Sequence, residues 1–305
     1  MTTKTEILHT EGLWKVYGEI TAVADMTISV YKGEVFSFLG PNGAGKTTTV
    51  GMILGLVRPT RGRALVFGDD IATHPWPVLK RIGAVIETPA FYPYLSGYDN
   101  LKTLAVTLGD IPNGRIDEML EMVGLRERGG DPYKTYSLGM KQRLGIASTL
   151  LRDPDLIILD EPTNGLDPAG TREVRELIPR LAREGRGVFL CSHLLHEVQA
   201  VSDRVAIVKK GRLVEETSVR ELLGRGEYLR LRADDNEALT RALGAVPWVT
   251  SLQQVDGAIR AAVPVARSSE LTRVLAGQGV YLSEITPWET ELESVFLELT
   301  GEGAA

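Results

Sequence analysis

Eight consecutive residues, Gly40-Pro-Asn-Gly-Ala-Gly-Lys46-Thr47, set three glycines, a lysine and a hydroxyl at the spacing of a phosphate-binding loop. An apolar run at 35–39 predicts a strand before it, and 47–57 reads as a helix after it, the context that gives the pattern its meaning. Glycines let successive amides turn inward onto phosphate oxygens, and the helix points its positive end at the same place. Lys46 adds a point charge, and the Thr47 hydroxyl suits a magnesium ion. Asn42, Gly43, Ala44, Gly45 and Thr48 complete the loop, which predicts nucleoside triphosphate binding. A second constellation follows Leu-Ile-Ile-Leu at 156–159, where Asp160-Glu161 stands at the C-terminal end of an expected parallel strand. Asp160 is placed to hold magnesium through water, and Glu161 to orient and deprotonate an attacking water. Each pattern alone also fits an ordinary turn. Together they point to hydrolysis.

The elements that must position these groups follow from periodicity. Residues 7–16 and 22–31 read as strands of a flanking antiparallel sheet, with further strands at 64–67 and 82–86. From 88 to 150 the character turns helical: Ser96 caps 97–108, 116–123 is amphipathic, and Ser137 opens a helix that runs to Arg152 before Asp153-Pro154. Residues 171–184 align Val174, Leu177, Ile178 and Leu181 on one face, with Gly185 as the stop, and Pro179 predicts a kink or break. A strand at 187–191, a helix at 193–202 and a hairpin of 205–208 with 212–215 across Lys210-Gly211 close the first domain near Gly224. Beyond it, segments at 228–232, 236–243, 248–255, 258–263, 269–276 and 280–285 give β-α-β-β-α-β, the ferredoxin-like order, with an amphipathic segment at 292–299 after it. The expected class is α/β. A P-loop domain over 1–224 carries an antiparallel β subdomain and a helical subdomain at about 88–150, and a small α+β accessory domain occupies 225–305.

Composition narrows the functions. Of 305 residues, 43% are hydrophobic and 24% charged, and 34 basic against 40 acidic side chains give a net charge of -6. A nucleic-acid partner is not expected, because phosphate-binding surfaces carry a basic excess. The single cysteine, Cys191, makes neither an internal disulfide nor a multi-thiolate metal site. No apolar run reaches the roughly 20 residues of a spanning helix. Residues 1–15, with Glu6, His9 and Glu11, lack the apolar core of a secretory signal, so the expected location is the cytoplasm.

Four motifs in order, the loop at 40–47, YSLGMKQR at 136–143, LIILDEPTNGLDP at 156–168 and CSH ending at His193, resemble an ATP-binding cassette (ABC) ATPase. The likeness covers about the first 220 residues and is nearest to ATPase subunits of the bacterial drug and peptide-antibiotic (bacitracin-type) exporters. It implies ATP and Mg2+ as cofactors and a head-to-tail pair of cassettes, here expected to be a homodimer. Ser137 and Gly139 of one copy would then meet the γ-phosphate held by the other. It also implies that Tyr17 stacks on adenine with Val23 as apolar support, that His193 contacts the γ-phosphate, and that Asp167 lies in the loop communicating across the dimer. Two departures stand out. Tyr136, Leu138 and Met140 replace the commonest leucine, glycine and glutamine of the signature segment, and Glu87 stands where most members carry a glutamine that reaches magnesium. Both fit the antibiotic-exporter branch, and Glu87 remains a candidate magnesium ligand beside Thr47 and Asp160.

The resemblance implies an ATPase subunit peripheral on the inner face of the cell membrane, powering export through a separate permease. Phe91, Tyr92, Tyr94 and Tyr98 are expected to border the groove that receives a permease helix. The alternative is a soluble ABC ATPase acting in translation or DNA repair. Such proteins generally carry two cassettes, a long coiled-coil or a zinc-bearing insertion, and this sequence shows one cassette and no basic excess. A third reading, an ATP-binding scaffold, is opposed by the presence of Glu161.

Overall fold

The computed structural model describes residues 4–87, 89–224 and 228–288, with positions 292, 293, 296 and 299. The chain divides into two compact units, 1–219 and 220–305.

In the first unit, β1 (Glu6–Tyr17), β2 (Ile20–Met26), β3 (Ser29–Tyr31), β5 (Arg61–Val66) and β6 (Asp69–Asp70) form an antiparallel sheet of order β2-β1-β5-β6, with β3 also paired to β1. The single strand expected at 22–31 is thus two. Leu8 and Thr10, two residues apart on β1, are buried on one face, and Leu13 is buried where the register shifts between Glu11 and Trp14.

The second sheet runs β11-β10-β4-β9-β8-β7, from β4 (Val35–Leu39), β7 (Ile82–Val85), β8 (Leu156–Asp160), β9 (Gly187–Ser192), β10 (Arg204–Lys209) and β11 (Arg212–Ser218). All its pairs are parallel except the β10–β11 hairpin, whose turn residues Lys210 and Gly211 both take positive φ. Every residue of β4, β8 and β9 is buried, as a strand covered on both faces requires. Leu156 and Ile158 face the core shared with α1 (Lys46–Ile53) and the antiparallel sheet. Ile157 and Leu159 face the opposite core, which holds Leu144 and Ile146 of α5 (Leu138–Thr149) and Leu181 of α6 (Pro168–Arg183).

Helices α3 (Gly97–Leu108) and α4 (Arg115–Met122) complete the helical part, after a short α2 (Pro75–Leu79) that periodicity did not announce. Ser96 caps α3 by accepting from the Asp99 amide, and Ser137 caps α5 by accepting from that of Met140. α6 runs through Pro179 without a break, so of the kink or break expected there the break is absent. The proline removes one amide donor, whereas Val174, Leu177, Ile178 and Leu181 are all buried on the inner face and hold the helix together. The helix expected at 193–202 begins only at Leu195 (α7, Leu195–Val201), which leaves His193 in the preceding turn.

Helix α8 (Val219–Gly224) lies at the division between the units. The second unit contains β12 (Tyr228–Ala233), α9 (Asn236–Gly244), β13 (Leu252–Val255), β14 (Ala258–Ala262), α10 (Ser268–Gly277) and β15 (Leu282–Trp288). The sheet order β13-β14-β12-β15, antiparallel throughout, is the ferredoxin-like arrangement. Leu229, Leu231 and Ile259 on its inner face pack with Leu239, Leu243, Leu271 and Leu275 of the helices. The strand expected from 248 starts at Leu252. The amphipathic segment at 292–299 falls largely outside the described residues.

Candidate functional site

The chain leaves β4 at Leu39 and enters α1 at Lys46 through the glycine-rich loop. Gly45 is the N-cap at φ 97°, and a Cβ there would stand 2.5 Å from the Ala22 carbonyl oxygen and 3.2 Å from Val23 Cγ2. Only glycine fits that pose. Because Gly45 offers no capping side chain, the first amides of α1 remain donors for an anion. Lys46 is buried. Its Nζ donates to the Gly40 and Pro41 carbonyls at 2.8 and 3.4 Å and pairs with Glu161 Oε1 at 3.2 Å.

Two strands along the sheet, β8 delivers Asp160 and Glu161 beside this loop. Asp160 Oδ2 accepts from the Thr47 hydroxyl at 3.3 Å, while its buried Oδ1 has no partner among the described residues. Burial first, and then the charge of Glu161, push the Asp160 carboxyl above its ordinary range, against the pull of Thr47 and Lys46. A hydroxyl and a carboxylate with one unpaired buried oxygen form a hard-oxygen set that fits a magnesium ion. Thr47 and Asp160 would hold that ion, with Glu87 in the same cleft, and it would neutralise charge on the phosphates.

Glu161 is held from both sides: Lys46 meets Oε1, and His193 Nδ1 lies 2.8 Å from Oε2. Glu161 at φ 50° and Glu87 at φ 58° both occupy the left-handed region, a conformation that costs a carboxylate residue about 1–3 kcal/mol and clusters at functional sites. The turn holding His193 is fixed by Ser192, whose hydroxyl accepts from the Leu194 amide at 3.0 Å. Cys191 pairs with Asp160 across β8 and β9, and burial pushes its thiol well up, so it is a packing residue and not a nucleophile.

A cleft of about 400 Å³ gathers Asn42, Gly43, Gly45, Lys46, Thr47, Thr48, Glu87, Asp160 and Glu161, all expected from sequence. It also brings in Ala22, Leu138, Gln142 and Asn164, which were not. Leu138 and Gln142 are an i,i+4 pair on α5, so their common face was legible, but what that face meets was not. The other expected residues lie elsewhere. Ala44 is buried under the loop. Val23 is completely buried against Gly45, so it supports the loop from beneath while its neighbour Ala22 reaches the cleft. Tyr17 is half-exposed at the end of β1 with Lys15 Nζ 4.8 Å from its ring centre. Ser137 and Gly139 do not line this chain's own cleft.

The aromatic cluster divides. Phe91 packs edge-on against Tyr133 at 5.3 Å and Tyr98 joins the helical core, whereas Tyr92 and Tyr94 are 64% and 81% exposed. The four do not act as one surface, because the first and last serve the helical core.

Residues 23–164 match the model of the family described as ABC transporter. The bacitracin transport ATP-binding protein BcrA of Bacillus licheniformis is 40% identical over 300 residues, covering 97% of this chain and 98% of its own. Its namesake in Enterococcus faecalis is 38% identical over 97% of both chains. The lantibiotic transport ATP-binding protein SrtF of Streptococcus pyogenes is 40% identical over 69% of this chain and 90% of its own. Among solved structures, cbiO1 from Clostridium perfringens, part of the ABC transporter complex cbiONQ, superposes with a TM-score of 0.67 at 26% identity, covering 80% of this chain and 97% of that one.

Proposed function

This chain belongs to the ATP-binding proteins of ABC transporters, and from that premise we propose that it powers export of a peptide antibiotic or similar drug through a separate membrane permease. The observation that carries the reading is the convergence of Lys46, Thr47, Asp160 and Glu161 at one cleft below a helix N-terminus, with His193 bonded to Glu161. ATP enters with its phosphates against the loop amides and Lys46. Glu161 accepts the proton of the attacking water, and His193 holds the carboxylate in line. Thr47, Asp160 and Glu87 hold Mg2+. Tyr17 is the surface on which adenine stacks.

A second copy of the chain completes each site. Ser137, exposed at the start of α5, and Gly139 lie off their own cleft, which suits a role against the partner's ATP. No helix among the described residues is long and apolar enough to cross a membrane, and the exposed Tyr92 and Tyr94 support docking to the inner face of a permease. Domains at 1–224 and 225–305 divide the labour, the first for ATP and the second for contacts between copies. The transport names of the relatives favour this reading over a soluble ATPase of translation or DNA repair.

Co-expression with the membrane protein encoded beside it tests the proposal. The expected result is a detergent-stable complex whose Mg2+-dependent ATPase activity is stimulated by bacitracin or a lantibiotic. A chain that hydrolyses ATP fully as a monomer and forms no such complex overturns it.

A further inference from the structure

Gln142 stands on α5, only 6% exposed, and its Nε2 has no hydrogen-bond partner among the described residues. The side chain lines the nucleotide cleft. A buried donor left unpaired is destabilising, and one retained at a ligand site calls for an acceptor that arrives in function. The packing of α5 indicates which one. A Cβ placed on Gly145 would run into the Pro89 ring and stand 3.7 Å from Val85 Cγ2, so this face of the helix rests on the end of β7 and the segment after it. Gln142 precedes Gly145 by three residues and shares that face. Glu87, two residues before Pro89, lines the same cleft and is held in a left-handed backbone conformation.

Donor and acceptor are complementary. A carboxylate only accepts, and Glu87 adds negative charge to a cleft that must take a triphosphate. That charge already opposes ionisation of Asp160. We infer that Gln142 is a positioning residue whose side-chain amide donates to the Glu87 carboxylate when nucleotide fills the cleft, fixing α5 to the acidic segment that follows β7. The inference rests on the proposed ATPase site and adds a residue to it.

Four full-length variants test the pairing: Gln142→Leu, Gln142→Glu, Glu87→Gln and the swap Q142E/E87Q. Gln142→Leu should lower kcat about tenfold, the loss of one hydrogen bond to a charged group, and weaken ATP binding as well, because the bond forms only with nucleotide in the cleft. It should also raise Tm by about 2–4 °C, because the unpaired donor is gone. Gln142→Glu opposes two carboxylates, so kcat should fall further than in Gln142→Leu. The swap restores one donor and one acceptor in the reverse sense and should return kcat to about that of Glu87→Gln, since its hydrogen bond is equivalent. Strict additivity of the two single changes in the swap overturns the inference, as does Gln142→Leu with full kcat. A lowered Tm in Gln142→Leu, together with loss that the swap does not rescue, assigns Gln142 to packing and also overturns it. The rise in Tm on adding ATP should follow the same pattern, reduced in Gln142→Glu and restored in the swap. That readout needs no hydrolysis, so the pairing is decided even if activity that survives Glu161→Gln defeats the assignment of Glu161 as base.

Discussion

Glu161→Gln separates two effects that the geometry ties to one carboxylate. The first is chemical. A positioned general base contributes about 10²–10⁴-fold, or about 3–5 kcal/mol, and an amide cannot accept the proton of the attacking water. The second concerns binding. Lys46 Nζ lies 3.2 Å from Glu161 Oε1 and 2.8 Å from the Gly40 carbonyl, both contacts largely shielded from water. A γ-phosphate that recruits Lys46 must loosen the pair with Glu161, and it arrives beside a carboxylate of its own sign. The attraction within this shielded ion pair and the repulsion of the incoming phosphate both vanish with the carboxylate, so relieving this competition should tighten ATP binding by about tenfold. ADP has no terminal phosphate at that point, so its affinity should change little. The assay pairs single-turnover hydrolysis with calorimetric binding of ATP and ADP to purified wild type and variant. Hydrolysis at the wild-type rate would remove Glu161 from the role of base. Weaker ATP binding, or equal tightening for ADP, would refute the competition between Glu161 and the γ-phosphate for Lys46.

Asp160→Asn should abolish Mg2+-dependent hydrolysis yet stabilise the nucleotide-free protein. The folded carboxyl titrates above its ordinary range, so the native state loses stability as pH rises through that range and keeps it below. The variant's advantage in Tm should therefore grow as pH rises above about 4 and vanish in more acid solution, as thermal melts across pH will record. Gly45→Ala forces a side chain into a φ of 97° against the Ala22 carbonyl, and should cost at least about 1–3 kcal/mol of stability along with nucleotide binding, measured by denaturant melts and calorimetry. Replacing Tyr92 and Tyr94 by serine removes two exposed rings without touching the cleft, so ATP affinity should hold while coupling between ATPase and transport falls in the reconstituted complex. Deleting residues 225–305 should weaken ATP-driven dimerisation more than ATP binding, which sedimentation with and without nucleotide can decide.

Local chemistry made much of this molecule legible from the chain. The apolar runs at β4, interrupted only by Ser37, and at β8 read as strands covered on both sides, and their C-terminal ends were the natural stations for the glycine loop and for Asp160-Glu161. The serine caps at 96 and 137 declared the starts of α3 and α5. Errors arose where one residue's preference was set against burial of a whole face, as at Pro179, or where a serine-held turn delayed a helix start, as at His193.

What the chain determined alone was the inventory: which segments must be strands or helices, which backbone positions demand glycine, and which side chains carry phosphate, magnesium or proton chemistry. Tertiary structure decided their company. Glu161 meets His193 across 32 residues and Thr47 meets Asp160 across 113, because β4, β9 and β8 lie side by side in the sheet. The same packing sends Val23 beneath the loop while Ala22 reaches the cleft, divides the tyrosines between core and surface, and leaves Gln142 Nε2 without a partner among the described residues at the nucleotide site. Periodicity reports which face of an element is apolar, and it is silent on what that face will touch, since the partner is chosen by strand order and close packing over the whole unit.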